Sequence, residues 1–80
     1  MESIGDAVSV VALFEPPRAF RPVRFRWNGR TCLIREVTYR WTSREGRTVL
    51  HHFSVTDGGT LYQLTFNTET LQWSLDEVEA

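Results

Sequence analysis

The sequence predicts an all-β domain, an antiparallel meander of five or six strands forming a small barrel or half-barrel. Three observations predict it: apolar and polar residues alternate with period 2 through most of the chain, turn signals recur at short intervals, and helical periodicity is nowhere sustained. Ten aromatics among 80 residues supply a core, and this length leaves room for one domain, residues 1–80, with its ordered part expected over about residues 7–78.

The first strand is expected over Val8 to Glu15, an apolar run rich in β-branched residues that Pro16 and Pro17 end, and its place is expected at a sheet edge. Arg18 to Pro22 reads as a connecting loop. Val23, Phe25 and Trp27 then alternate with Arg24 and Arg26, and Asn28-Gly29 follows, two residues that tolerate the positive φ of a type I′ turn. Closure by two residues pairs Trp27 with Arg30, Phe25 with Cys32 and Val23 with Ile34. Phe25, Val23, Cys32 and Ile34 therefore share one face, and Arg24, Arg26 and Arg35 the other.

Val37, Tyr39 and Trp41 have the opposite parity to Cys32 and Ile34. If both sets face the core, one extra residue must shift the phase, so a β-bulge is expected near Arg35-Glu36, with a break into two strands as the alternative. After a turn around Gly46, Val49, His51, Phe53 and Val55 form one face of a strand that Asp57-Gly58-Gly59 closes. This turn sets Val55 opposite Tyr62, Phe53 opposite Leu64 and His51 opposite Phe66. A four-residue loop, Asn67 to Thr70, then sets Phe66 opposite Leu71, Leu64 opposite Trp73 and Tyr62 opposite Leu75, leaving the acidic tail Asp76 to Ala80 to fray.

Charge is distributed unevenly along the chain. Residues 18–47 carry all nine basic groups against two acids, a net of +7, while residues 1–17 carry −3 and residues 48–80 carry −5. Every basic residue is arginine, which matches the codon bias of a GC-rich bacterial genome as well as a use for planar, bidentate contacts. Clustered guanidinium forks bind phosphate, so Arg24, Arg26, Arg30 and Arg35, with Arg21 near the hairpin end, form the candidate nucleic-acid site. The competing reading is that acids and arginines neutralise each other across the sheet, with the acidic final strand against the basic one. Single-stranded nucleic acid also favours exposed aromatics, and only Trp27 and Trp41 are expected to be partly exposed.

Other chemistries find less in this sequence. His51 and His52 are neighbours on a strand and point to opposite faces, so they cannot share a metal, and Cys32 with His51 offers two ligands where a structural zinc needs four. No cofactor or metal is expected. No phosphate loop, nucleophile elbow or zinc-protease motif is present, so no enzyme activity is expected; one would require a concave pocket lined by His51 or His52 with a nearby acid. A single cysteine fits a reducing, cytoplasmic compartment. No run approaches the length of a membrane span, and the start Met1 to Asp6 lacks the positive region of a signal peptide, so neither targeting nor spanning is expected.

The run Phe20-Arg-Pro-Val-Arg-Phe-Arg-Trp-Asn-Gly-Arg30, then Ile34-Arg-Glu-Val37, Trp41, Tyr62-Gln-Leu-Thr-Phe66 and Trp73-Ser-Leu-Asp-Glu-Val78, resembles a small bacterial all-β domain of unknown function. In that group a Trp-x-Gly-Arg hairpin precedes a tryptophan, and a Tyr-x-Leu segment precedes a Trp-x-Leu close. Some members lie near inactive relatives of Y-family DNA polymerases in actinobacteria. The resemblance spans about residues 16–79 and rests on core and turn residues, so it implies a fold and carries over no site residue; Cys32 stands where such relatives typically have an aromatic. The expectation is a cytosolic binding or accessory module with a protein partner, and weak nucleic-acid binding through the arginine-rich hairpin as the alternative. A monomer is expected, or a homodimer formed by strand addition along a Val8 to Phe14 edge.

Overall fold

The computed structural model describes residues 2–17 and 20–80; the Arg18 part of the first connection lies outside them. Its regular elements are all strands: β1 (Glu2–Leu13), β2 (Arg21–Trp27), β3 (Arg30–Leu33), β4 (Glu36–Glu45), β5 (Thr48–Thr56), β6 (Leu61–Asn67) and β7 (Gln72–Glu79). They lie in the order β3-β2-β1-β7-β6-β5-β4, every neighbouring pair antiparallel. Among the described residues no helix is long and apolar enough to cross a membrane.

The count is seven because the segment expected as one bulged strand divides into β3 and β4. At the division Ile34 N donates to the carbonyl of Val23 on β2 and Arg35 N to that of Thr56 on β5, so the chain leaves one neighbour and takes up another within two residues. No ladder joins β3 to β4, and the sheet is a curled, open one rather than a closed barrel. β1 divides its pairing in the same manner: Glu2 to Val8 pair with β7, and Ser9 to Leu13 with β2. The strand expected at an edge is therefore the joint between a larger and a smaller sheet, and the outer strands are β3 and β4. A bulge between Ser3 and Asp6 bends β1, and Gly5 there takes φ +73, a conformation that favours glycine.

The first hairpin follows its turn chemistry, with Asn28 at φ 53 and Gly29 at φ 73, Trp27 opposite Arg30 and Phe25 opposite Cys32. The β5–β6 hairpin also has the expected pairs, Val55 with Tyr62, Phe53 with Leu64 and His51 with Phe66. Asp57 organises its turn, Oδ1 accepting from Gly59 N at 3.0 Å and Thr60 N at 2.9 Å. The last hairpin departs from expectation by two residues: Phe66 lies opposite Trp73 and Leu64 opposite Leu75. The turn keeps four residues but starts one later, Thr68 to Leu71, because Asn67 stays in the strand and caps the turn with its side chain, accepting from Glu69 N and Thr70 N, and Leu71 takes φ 60 and is 71% exposed. A shift of two preserves parity, so Trp73 and Leu75 still face inward. The acidic tail does not fray: β7 continues to Glu79, paired with β6 and β1.

The larger correction concerns β4. Its bulge falls between Val37 and Tyr39 rather than at Arg35-Glu36, so Val37 meets the buried Val55 while Tyr39 and Trp41 turn outward, opposite Ser54 and His52. Arg40 takes the inward parity instead, opposite Phe53; its Nη2 donates to the Phe20 carbonyl at 2.6 Å and its guanidinium sits 5.0 Å from the Phe53 ring. The core comprises Phe20, Phe25, Phe53, Val55, Leu64, Trp73 and Leu75, and each such side chain contributes about 1.5–3 kcal/mol through burial.

Candidate functional site

The outward faces of β1, β2 and β3 form a continuous surface in which arginines and aliphatics alternate. Register sets Val11, Arg24 and Leu33 in one row across three strands, and Ser9, Arg26 and Thr31 in the next, with Leu13 beside Arg21 beyond them. Val11 is 45% exposed, Leu13 39% and Leu33 66%, and Arg24 and Arg26 are exposed between them. Ser9, Val11, Arg24, Arg26 and Thr31 line a groove of about 260 Å³ on this surface.

Among the described residues, acids and arginines do not neutralise each other across this sheet. Among the described residues the one ion pair is Arg21 with Glu15, at 3.6 Å on the rim, and the acidic β7 lies between β1 and β6 rather than against β2. The four arginines expected to act together separate. Arg24 and Arg26 share the groove, whereas Arg30 lies opposite Trp27 with the contrary parity, and Arg35 lays its guanidinium over Gly58 in the β5–β6 turn. Trp27 and Trp41 are both partly exposed, as expected; the Trp27 indole N–H donates to Asp6 at 3.1 Å.

A second polar arrangement crosses the outward face of the larger sheet. The histidines point to opposite faces as expected: His51 meets the Phe20 ring edge-on at 5.2 Å, and His52 stacks on Trp41 outside, centroids 5.0 Å apart and planes at 13°. Ser43 Oγ lies 2.7 Å from His52 Nε2, and His52 Nδ1 lies 2.9 Å from Thr65 Oγ1. The Thr65 hydroxyl in turn donates to Asp76 Oδ2, and Ser74 Oγ donates to Asp76 Oδ1 at 2.8 Å. Burial holds His52 below its ordinary pKa of 6.5, although the Asp76 charge pulls it upward and His51 adds to the lowering. His52, Thr65, Ser74 and Asp76 line a groove of about 390 Å³ with Glu45 and Leu50 at its side. This is the concave site, histidine with a nearby acid, that the sequence left unfilled. Ser43, Thr65 and Asp76 belong to no motif, and the available signal was register alone: Ser43, His52, Thr65 and Ser74 all occupy outward positions on successive strands.

Cys32 is partly buried beside Tyr62, whose phenol donates to Asp57 Oδ2 at 3.2 Å. Burial, first, and then negative charge on Cys32 and Asp57 push the Tyr62 phenol up from 10.0 to about 12. Ultraviolet titration is expected to show a phenolate step near pH 12 that Tyr62→Phe removes; a wild type without that step would contradict this environment. Because the folded value is the higher one, the associated stability is complete below pH 10 and declines as pH rises toward about 12.

Among the described residues no three His, Cys, Asp or Glu side chains gather as a metal-binding group. No protein-family model matches the chain, and no curated protein or solved structure shows detectable similarity to it.

Proposed function

We propose that the chain is a protein-binding module that takes an acidic, amphipathic segment of a partner onto the outward face of β1, β2 and β3. One observation carries the reading: Arg24 and Arg26, neither paired with a carboxylate among the described residues, are interleaved with the exposed Val11, Leu13 and Leu33. Arginine and aliphatic anchors on one desolvatable surface are the composition of an interface centre, and the charge calls for an acidic partner. Nucleic acid is the weaker fit, because Arg30 and Arg35 point elsewhere and aliphatic side chains occupy the ground between the two remaining forks. The same proposal assigns the module to the cytoplasm of a bacterium, supported by a lone cysteine and by the use of arginine for every basic residue.

The test is an amide chemical-shift titration with a short peptide of alternating leucine and glutamate, run beside single- and double-stranded oligonucleotides at two salt concentrations. The peptide is expected to shift β1 to β3 amides, and the Arg24→Glu, Arg26→Glu double variant is expected to weaken it about tenfold or more, since interface arginines are often the costliest to lose. Leu33→Ser is expected to weaken peptide binding too, and an oligonucleotide interface would leave that variant unaffected. Shifts with oligonucleotides alone, or none with the peptide, would overturn the proposal.

A further inference from the structure

We infer that Ser43 is a nucleophile toward neutral aryl esters, with His52 as its general base and Thr65 and Asp76 as positioning residues. The inference concerns the face of β4 to β7 and goes beyond the binding role proposed above. It rests on the direction of the hydrogen bonds. The carboxylate of Asp76 only accepts, so Thr65 donates to it and Thr65 Oγ1 must accept from His52. Nδ1 of His52 therefore carries the proton, Nε2 has the lone pair, and the Ser43 hydroxyl donates to it at 2.7 Å. Every member of the chain is thereby committed to the tautomer that draws a proton off Ser43.

Topology puts this hydroxyl within reach of a substrate. β4 is an outer strand, Ser43 is exposed, and Tyr39, Trp41, Ser43 and Glu45 follow one another on its outward side. Tyr39 and Trp41 lie 5.4 Å apart and form an aromatic wall before the nucleophile, while Glu45 beyond it repels anions. Flat, uncharged aryl groups fit that approach.

In the reaction, Ser43 Oγ bonds to the carbonyl carbon while its proton passes to His52 Nε2. The carbon–oxygen bond to the aryl leaving group breaks, and the imidazolium returns the proton to that oxygen. A solvent water, deprotonated by His52, then bonds to the acyl carbon; the bond from that carbon to Ser43 Oγ breaks, the carboxylic acid leaves, and the imidazolium returns its proton to Oγ to complete the cycle. The imidazolium formed between these steps is stabilised through Thr65 by the Asp76 charge.

p-Nitrophenyl acetate turnover and intact-mass analysis after a fluorophosphonate probe test the inference together. The probe is expected to add once, at Ser43, with loss of fluoride, and Ser43→Ala is expected to abolish the adduct and lower turnover about 10²-fold, the usual contribution of general-base assistance. The rate is expected to rise with pH as His52 loses its proton. The charges facing that ring are Asp76 from β7 and Glu45 from β4, with His51 its neighbour on β5; since His51 lowers the His52 pKa, His51→Asn is expected to move the midpoint to higher pH, the opposite direction to Asp76→Asn. Asp76→Asn is expected to move the midpoint to lower pH, because the Asp76 charge raises the His52 pKa; a purely structural role would lower the rate without moving it. No adduct, an adduct elsewhere, equal turnover by Ser43→Ala with unchanged amide spectra, or an unmoved midpoint in Asp76→Asn would each overturn the assignment.

Discussion

Phe20→Ala is expected to remove about 3–5 kcal/mol of stability, the range for truncating a buried aromatic and leaving a cavity. Phe20 belongs to no strand, yet it is 8% exposed and its ring meets four others edge-on: His51 at 5.2 Å, Phe66 at 5.3 Å, Phe53 at 5.6 Å and Trp73 at 6.0 Å. These partners come from β5, β6 and β7, so a residue of the β1–β2 connection fills the inside of the larger sheet. The backbone is tied down at the same point, since Arg40 donates to the Phe20 carbonyl. A domain of this size has about 4–12 kcal/mol in total, so the variant sits near its midpoint in little or no denaturant. Phe14 provides the control. It stacks on Phe20 at 4.8 Å but is 72% exposed, and Phe14→Ala is expected to cost about 1 kcal/mol, the value of the aromatic pair alone. Urea unfolding of both variants decides the matter: a Phe20→Ala loss no greater than that of Phe14→Ala would mean the ring is packed less tightly than its contacts imply.

How much of this was legible in the sequence follows from the range of each interaction. The two hairpins whose turns are specified by positive-φ residues or by an Asp side chain, Asn28-Gly29 and Asp57-Gly58-Gly59, have the expected pairs, because turn geometry and side-chain parity are both local. Parity alone does not say where a phase shift falls. Alternation required an extra residue between Ile34 and Trp41, but a break at Ile34-Arg35 together with a bulge after Val37 satisfies the chain differently from a bulge at Arg35-Glu36. That choice gives Arg40 the inward parity, opposite Phe53, and turns Tyr39 and Trp41 outward. The role of β1 was hidden for another reason: its partner β7 lies at the far end of the chain, and a strand shared between two sheets reads locally like an edge strand. The candidate sites show the same limit. Arg24 and Arg26 were found because hairpin register places them, and Arg30 left them because residues paired at the turn have the contrary parity. The Ser43, His52, Thr65 and Asp76 chain runs across four strands, so it exists only once all three registers are known.

Phe25→Ala is expected to cost a similar 3–5 kcal/mol, with a consequence confined to one part of the molecule. Among the described side chains of β1 to β4, only Pro22 and Phe25 are buried, Phe25 at 1% exposure; the other strand residues that pack on the core do so partly. Phe25 lies opposite Val10 on β1 and Cys32 on β3, and its ring meets Tyr62 of β6 edge-on at 5.0 Å. It is thus the aromatic anchor that seats the smaller sheet on the larger one, whose core has Phe53, Val55, Leu64, Trp73 and Leu75 of its own. Removing the anchor leaves the β2–β3 hairpin held by its β1 ladder and the Trp27–Asp6 bond, while β5 to β7 keep their packing. Native-state hydrogen exchange should therefore show β2 and β3 amides losing more protection than β5 to β7 amides, the signature of sub-global opening. Because Val11, Arg24, Arg26 and Leu33 ride on the smaller sheet, the variant should also lose affinity for the acidic peptide while Ser43 keeps its reactivity. An equal loss of protection in all seven strands would show that the two sheets open as a single unit, and the proposed binding face would then have no stability separable from that of the Ser43, His52, Thr65 and Asp76 chain.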